Sequence, residues 1–308
     1  MEELVKALTI GVANGLIIAL IAIGYTLVYG ILELINFAHA DVFMLGTALT
    51  YFALEVIVVS MGLPAGSLTA LVLIFAALPF IALLTASVNA SIERVAYRPL
   101  RNAPRVAPLI SAIGMSFVLQ NVGLILLGPS QKAVEPVLPK NDLVFFPSGP
   151  AWFGIDEVMV VAVTIPLLLV LRWFVGSTRQ GKAMRATAQD RDASGLMGID
   201  VNRTISLTFL IAGGLAGAAG LVVALYYGQT WFLFGFQFGL LSFTAAVLGG
   251  IGNLTGATLG GLVIGIISAL SDRFLEAKWT SVLVFSILIL VLVLRPTGLL
   301  SEKVSERA

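Results

Sequence analysis

The sequence predicts an all-α polytopic membrane protein of about eight or nine spanning or half-spanning helices, forming an inverted repeat with interrupted helices. Three observations carry that prediction. Apolar residues make up 58% of the 308-residue chain and charged ones 11%, against roughly 25% charged in a soluble domain, so a water-facing surface cannot be built around so much apolar material. The apolar residues fall in runs long enough to cross a bilayer as helices, and the mean hydropathy is +1.01. Two short polar or glycine-rich interruptions fall in corresponding places of the two halves, a mark of discontinuous helices in a repeat. The runs far exceed the about 10 residues of a barrel strand and do not alternate, which excludes a β-barrel.

Taken in order, the runs are Ala7–Leu32, Val42–Gly62, Ser67–Ile92, Val106–Leu127, Glu157–Val175, Thr204–Tyr227, Leu240–Leu254, Thr255–Leu270 and Thr280–Leu294. The first has only Lys6 as a base before it and lacks an early small-residue cleavage pattern, so it reads as a retained helix. The second holds Glu55, which either lines a path or marks a helix end reaching outward water. The short pair after Leu240 contributes two spans or half-spans. Small residues four apart (Gly213/Gly217, Ala216/Gly220, Gly256/Gly260, Gly261/Gly265) let helix backbones approach closely in lipid. The whole chain, 1–308, reads as one transmembrane domain with halves at about 1–127 and 157–308.

Lys and Arg set the sidedness. Arg94, Arg98, Arg101 and Arg105 crowd one loop, Arg179, Lys182, Arg185, Arg191 and Arg203 another, and Arg295, Lys303 and Arg307 follow the last run. These three regions are cytoplasmic. The Pro-rich segment 128–156, where Lys132 and Lys140 are balanced by Glu135 and Asp142, faces out. Two crossings separate the first two basic regions and four separate the second from the third, so parity holds and the N-terminus lies outside.

Between the first two runs stands Glu33-Leu34-Ile35-Asn36-Phe37-Ala38-His39-Ala40-Asp41. It is either a tight cytoplasmic turn with Asn36 or Asp41 capping the next helix, or a broken helix beside a path, with His39 and Asp41 holding its geometry. The second interruption is Ser242–Gly256, where Gly249, Gly250, Gly252 and Gly256 make a stiff spanning helix unfavourable. It is either the counterpart break of the repeat or a short helix pair joined by a glycine turn.

The cytoplasmic segment 177–203 is patterned. Met184, Ala188 and Arg191 recur at helical spacing, and Gly195 and Gly198 can end one helix and begin the next. Such a loop suits docking to a soluble subunit, or a solvated helix meeting anionic lipid. The chain itself lacks the means of bond-making chemistry. It has no Cys, its one His has no evident Ser and acid partners, and it contains no GxxxxGK[ST] loop to hold a nucleotide. A net charge of +1 gives no reason to expect a nucleic-acid partner. No cofactor is expected.

The stretch Ile23–Asp41 resembles the signature of the branched-chain amino-acid permeases of bacterial ABC importers, and more closely the smaller of the two permease types. Gly181-Lys182-Ala183-Met184-Arg185-Ala186-Thr187-Ala188-Gln189-Asp190, continuing through Leu196–Val201, is similar to that family's ATPase-docking loop. Ala246–Gly250, Gly256–Gly261 and Arg295-Pro296-Thr297-Gly298-Leu299 also look like the family. One departure is Ala40, where the family usually has Gly. The resemblance implies a multi-pass protein of a bacterial or archaeal cytoplasmic membrane, importing branched-chain or other apolar amino acids. It also implies a second related permease or a second copy, two cytoplasmic ATPase subunits and an extracytoplasmic substrate-binding protein. It assigns coupling to Gly181, Arg185, Gln189, Asp190, Gly198 and Asp200. Permeation of urea or short amides is an alternative within the family. The residues alone leave open a stand-alone ion-coupled carrier, suggested by Glu55 and the broken segments, or a passive channel.

Overall fold

The computed structural model of the chain describes residues 2–64, 67–101, 103–104, 106–138, 142–143, 153–295 and 297–300. Arg105, Lys140, Pro296, Lys303 and Arg307, used above for sidedness and resemblance, lie outside these described residues. Eleven α-helices follow one another among the described residues: α1 (Glu2–Leu32), α2 (Ala38–Leu54), α3 (Leu68–Ile92), α4 (Val106–Leu127), α5 (Ile155–Ser177), α6 (Arg179–Gln189), α7 (Arg191–Leu196), α8 (Val201–Tyr227), α9 (Phe234–Gly249), α10 (Leu254–Phe274) and α11 (Thr280–Leu294). A π-helical turn, Glu55–Ser60, prolongs α2, and a second, Glu93–Tyr97, prolongs α3 into a 3-10 turn at Arg98–Leu100. Eight helical stretches are long and apolar enough to cross a membrane, and α9 is a shorter apolar one. The chain is a multi-pass membrane protein.

Local chemistry sets the helix ends. Ser67 accepts the Ala70 amide and caps α3, Asn253 accepts that of Gly256 and caps α10, and Gly228, with φ +63°, ends α8. Pro79 and Pro166 lie inside α3 and α5, as spanning helices tolerate.

The two central helices are α1 and α8, whose apolar windows are 83% and 78% buried, while α11 is only 6% buried. Helix α1 packs along α10, and α8 packs along α3. A Cβ on Gly15 would lie 2.7 Å from Leu262 Cα, and one on Gly213 would lie 2.8 Å from Ala86 Cα, so both pairs depend on glycine for their closeness. The likeness extends further: α2 contacts α3 and α4 as α9 contacts α10 and α11. Exchanging α1–α4 for α8–α11 thus reproduces these contacts, as an inverted repeat does, although α10 packs on α11 without a matching α3–α4 contact.

One end of the bundle gathers the end of α1, the end of α3, α6, α7 and the start of α8. There Arg191 donates to the Ile31 carbonyl at 2.7 Å and Arg101 to Asn202 Oδ1 at 2.5 Å. At the other end Glu3 pairs with Arg273, and Lys132–Ala133 pairs antiparallel with Gln229–Thr230. The N-terminal end of α1 therefore lies opposite the basic loops, as the charge parity requires.

Three details differ from the sequence reading. Helix α2 begins at Ala38 and not Val42, so His39 and Asp41 lie within its first turn, and neither Asn36 nor Asp41 caps it. Helix α9 starts at Phe234 and not Leu240 and runs on to Gly249, and Gly250 and Gly252, with φ +105° and +98°, make the turn into α10, which is the glycine-turn alternative of the two. The interruption that answers Glu33–Phe37 is 228–233, between α8 and α9. Finally, the helix pair α6–α7 breaks at Asp190 and not at Gly195. Asp190, at φ −159°, leaves the helix to cap α7, because a carboxylate that accepts orphan amides is a stronger stop than a mid-helix glycine.

Candidate functional site: a buried polar centre beneath a pair of short helices

Residues 33–37 rise from the end of α1 in a non-helical path, with Glu33 at φ +53°. His39 lies against Gly24, which precedes Leu32 by about 12 Å of helix. Helix α2 therefore starts well inside the bundle, which is the interrupted-helix reading of the two. Asp41 meets Ser116, halfway along α4. Gly235, in the first turn of α9, packs on Ala40 and Asp41. Two helix N-termini thus meet at mid-depth, α2 leaving toward the outer end and α9 toward the inner one, and the Asp41 carboxylate sits where their positive ends converge.

The side chains at this junction are buried. Asn36 Oδ1 accepts from the Tyr97 hydroxyl at 2.6 Å, and its Nδ2 has no partner. His39 stands edge-on to Tyr25, centroids 5.1 Å apart. Its ring approaches the Ile21 carbonyl without either nitrogen completing a hydrogen bond. Asp41 Oδ2 accepts from the Ser116 hydroxyl, which in turn accepts from Gln120 Nε2 at 3.2 Å. Asp41 Oδ1 and the Ser242 hydroxyl, both buried, have no partner. Buried polar groups are nearly always satisfied. Several of the unpartnered buried polar atoms among the described residues thus gather around this junction. Ala40 has ordinary helical geometry and its Cβ meets Gly239, so the departure from the family's Gly needs no unusual backbone.

The loop 177–203 is a compact helical pair. Thr178 caps α6 by accepting the Gly181 amide at 3.0 Å. Gly181 lies directly on the last carbonyls of α5, where a side chain has no room. Arg185 donates to the Val175 and Gly176 carbonyls and so clamps α6 to the end of α5. Asp190 caps α7 through the Ala193 amide at 2.9 Å, Gly198 with φ +83° turns the chain out of it, and Asp200 caps α8 through Arg203 at 3.0 Å. Gln189 is exposed. At the tip, Leu196 and Met197 are 89% and 84% exposed. Five of the six residues assigned to coupling thus shape the loop, and the apolar tip is what it presents.

The sequence reading missed Glu93 and its partners. Glu93 is fully buried, pairs with Arg101 and accepts from the Ser206 hydroxyl at 2.6 Å, so it joins α3 to α8. Burial lowers the Arg101 guanidinium pKa, and the neighbouring Glu93 raises it in part compensation. The signal was an acid one residue before an arginine-rich run, read only as sidedness. The glycine turn was also read separately from the C-terminal segment. In the fold the two are one unit: the Leu299 and Leu300 amides donate to the Leu248 and Gly249 carbonyls at 2.9 and 3.1 Å.

A family profile described as "Branched-chain amino acid transport system / permease component" matches residues 7–293. The chain belongs to this family. It is 40% identical to the high-affinity branched-chain amino acid transport system permease protein BraD of Pseudomonas aeruginosa, over 100% of this chain and 97% of that one. It is 41% identical to the corresponding LivH of Escherichia coli, over 96% and 95%. The autoinducer 2 import system permease protein LsrC of Klebsiella pneumoniae is 30% identical over 62% of this chain and 55% of its own length. No solved structure matches. A permease of a differently named system therefore also aligns with part of this chain, so the comparisons fix the permease role more firmly than the substrate.

Proposed function

We propose that the chain is the transmembrane permease subunit of an ATP-driven importer for branched-chain or other apolar amino acids. It forms a translocation path with a second, related permease or a second copy. Two cytoplasmic ATPase subunits supply the energy and an extracytoplasmic binding protein delivers the substrate. The observation that carries the reading is the α6–α7 pair, with its exposed Leu196–Met197 tip, on a chain whose sequence holds no GxxxxGK[ST] loop. Its motion reaches the centre by two routes, through Arg191 to the end of α1 and through α8, Glu93 and Tyr97 to Asn36. A soluble subunit that grips the tip differently in two states would bias the junction at Asp41.

The test is co-expression with the presumed partners, scored by proteoliposome uptake and by co-purification of the ATPase. Met197→Glu buries a charge in the docking surface and should lower both by about tenfold or more, while the bundle elutes and melts as the parent does. Unchanged uptake and co-purification would remove the docking role. A stand-alone ion-coupled carrier is the second reading, favoured by the orphaned oxygen of Asp41. Uphill uptake by this chain alone, driven by an ion gradient, would establish it in place of the first.

A further inference from the structure

Between the coupling helices and the inner end of α1 lies a cleft of about 270 Å³, near the small end of ligand-binding cavities. Its walls come from three places: Ile31–Leu34 at the end of α1, Arg101, Ala103 and Pro108 around the start of α4, and Thr187–Arg191 at the junction of α6 and α7. Both signs of charge line it, from Arg101 and Arg191 and from Glu33 and Asp190. Two wall residues carry groups that the folded chain leaves unused. The Thr187 hydroxyl and Arg101 Nε are buried and have no hydrogen-bond partner, although Arg101 spends its other nitrogens on Asn202 and Glu93. Arg191 spends Nε and Nη2 on the Ile31 carbonyl. These donors suit a carboxylate. Asp190 and the carbonyl-bearing C-terminal end of α1 suit an ammonium group. Leu32, Leu34 and Pro108 supply an apolar wall beside them.

We propose that this cleft is a cytoplasmic binding site for a zwitterionic α-amino acid with an apolar side chain, and that its occupant holds the α6–α7 pair against the end of α1. The ligand class follows from the wall chemistry; that the ligand is the transported product, restraining further import, rests on the importer reading above. An occupant would bridge the groups that must separate if α6 and α7 move relative to α1, so it acts as a brake on coupling.

The chain has no native cysteine, which permits a clean probe. Ala188→Cys, on the exposed rim, is introduced into the full chain in nanodiscs, and its rate of reaction with a polar maleimide is measured against added L-leucine. Leucine should slow labelling in a saturable way. Leucine amide and N-acetyl-leucine, each keeping one charged end, should need about tenfold higher concentrations, as should leucine itself against Arg191→Gln or the isosteric Thr187→Val. Protection by leucine together with failure of reconstituted uptake would keep the site and discard the importer reading. Uptake without protection would discard the site and keep the importer. Equal protection by inorganic phosphate or acetate would overturn the zwitterion assignment.

Discussion

Glu93 offers the sharpest quantitative test of the packing. It is a fully buried carboxylate whose charge is met by Arg101, itself 13% exposed, and whose second oxygen takes the Ser206 hydroxyl. Glu93→Gln keeps the volume and a hydrogen-bond acceptor but leaves Arg101 facing no charge. Removing one partner of a well-buried pair costs about 3–5 kcal/mol; because Arg101 touches solvent and keeps Asn202, about 2–3 kcal/mol is expected here. Arg101→Gln strands the more deeply buried partner and should cost at least as much. The double substitution leaves two neutral amides that can bond to each other, so its cost should fall short of the sum of the single ones by about 1–2 kcal/mol. Reversible unfolding in mixed micelles with rising SDS, followed by the fluorescence of the four tryptophans, measures all three. Additivity within about 0.5 kcal/mol would mean that the two groups do not interact, and the buried Glu93–Arg101 pair would have to be abandoned.

The same unfolding assay reads two further substitutions. Gly15→Val forces a side chain against the Leu262 backbone, where a Cβ already lies 2.7 Å from Cα, and should cost about 1–3 kcal/mol or more by parting α1 from α10; parental stability would show that the helices do not approach so closely. Tyr97→Phe leaves the buried Asn36 carbonyl without its donor, with an expected loss of about 1–3 kcal/mol, and a silent substitution would show the bond to be absent. Asp190→Ala removes the cap of α7. It should cost that helix about 1 kcal/mol, seen as roughly fivefold faster amide exchange confined to 191–196, and exchange spreading through α6 would contradict the separate capping of the two helices.

The sequence showed the spans wherever an apolar run met charge, because length and flanking arginine need no tertiary information. The polar stretch at Asn36–Asp41 was visible for the same reason: such residues are conspicuous in an apolar setting. Its second counterpart was missed because Gly228–Leu233 is a short linker whose Trp231, Phe232 and Leu233 merge with the apolar residues that follow. The glycines after Leu248, more prominent to the eye, turned out to serve a turn near Gly30. Helical spacing also carried the reading of the coupling loop past Asp190, because periodicity reports which face a residue occupies and not whether a carboxylate turns back to cap the next helix. Partnerships such as Glu93 with Arg101 and Ser206, or the C-terminal leucines with α9, depend on the packing of distant segments and leave no local trace.

The meeting of α2 and α9 has a mechanical consequence. Laid start to start, the two helices act as a single strut through the membrane, but a strut sawn through at Asp41 and Gly235. No ladder of main-chain hydrogen bonds crosses that cut. The halves can slide or tilt apart there for the cost of a few side-chain contacts, whereas bending an unbroken helix by the same amount would sever backbone bonds in a solvent that offers no replacement.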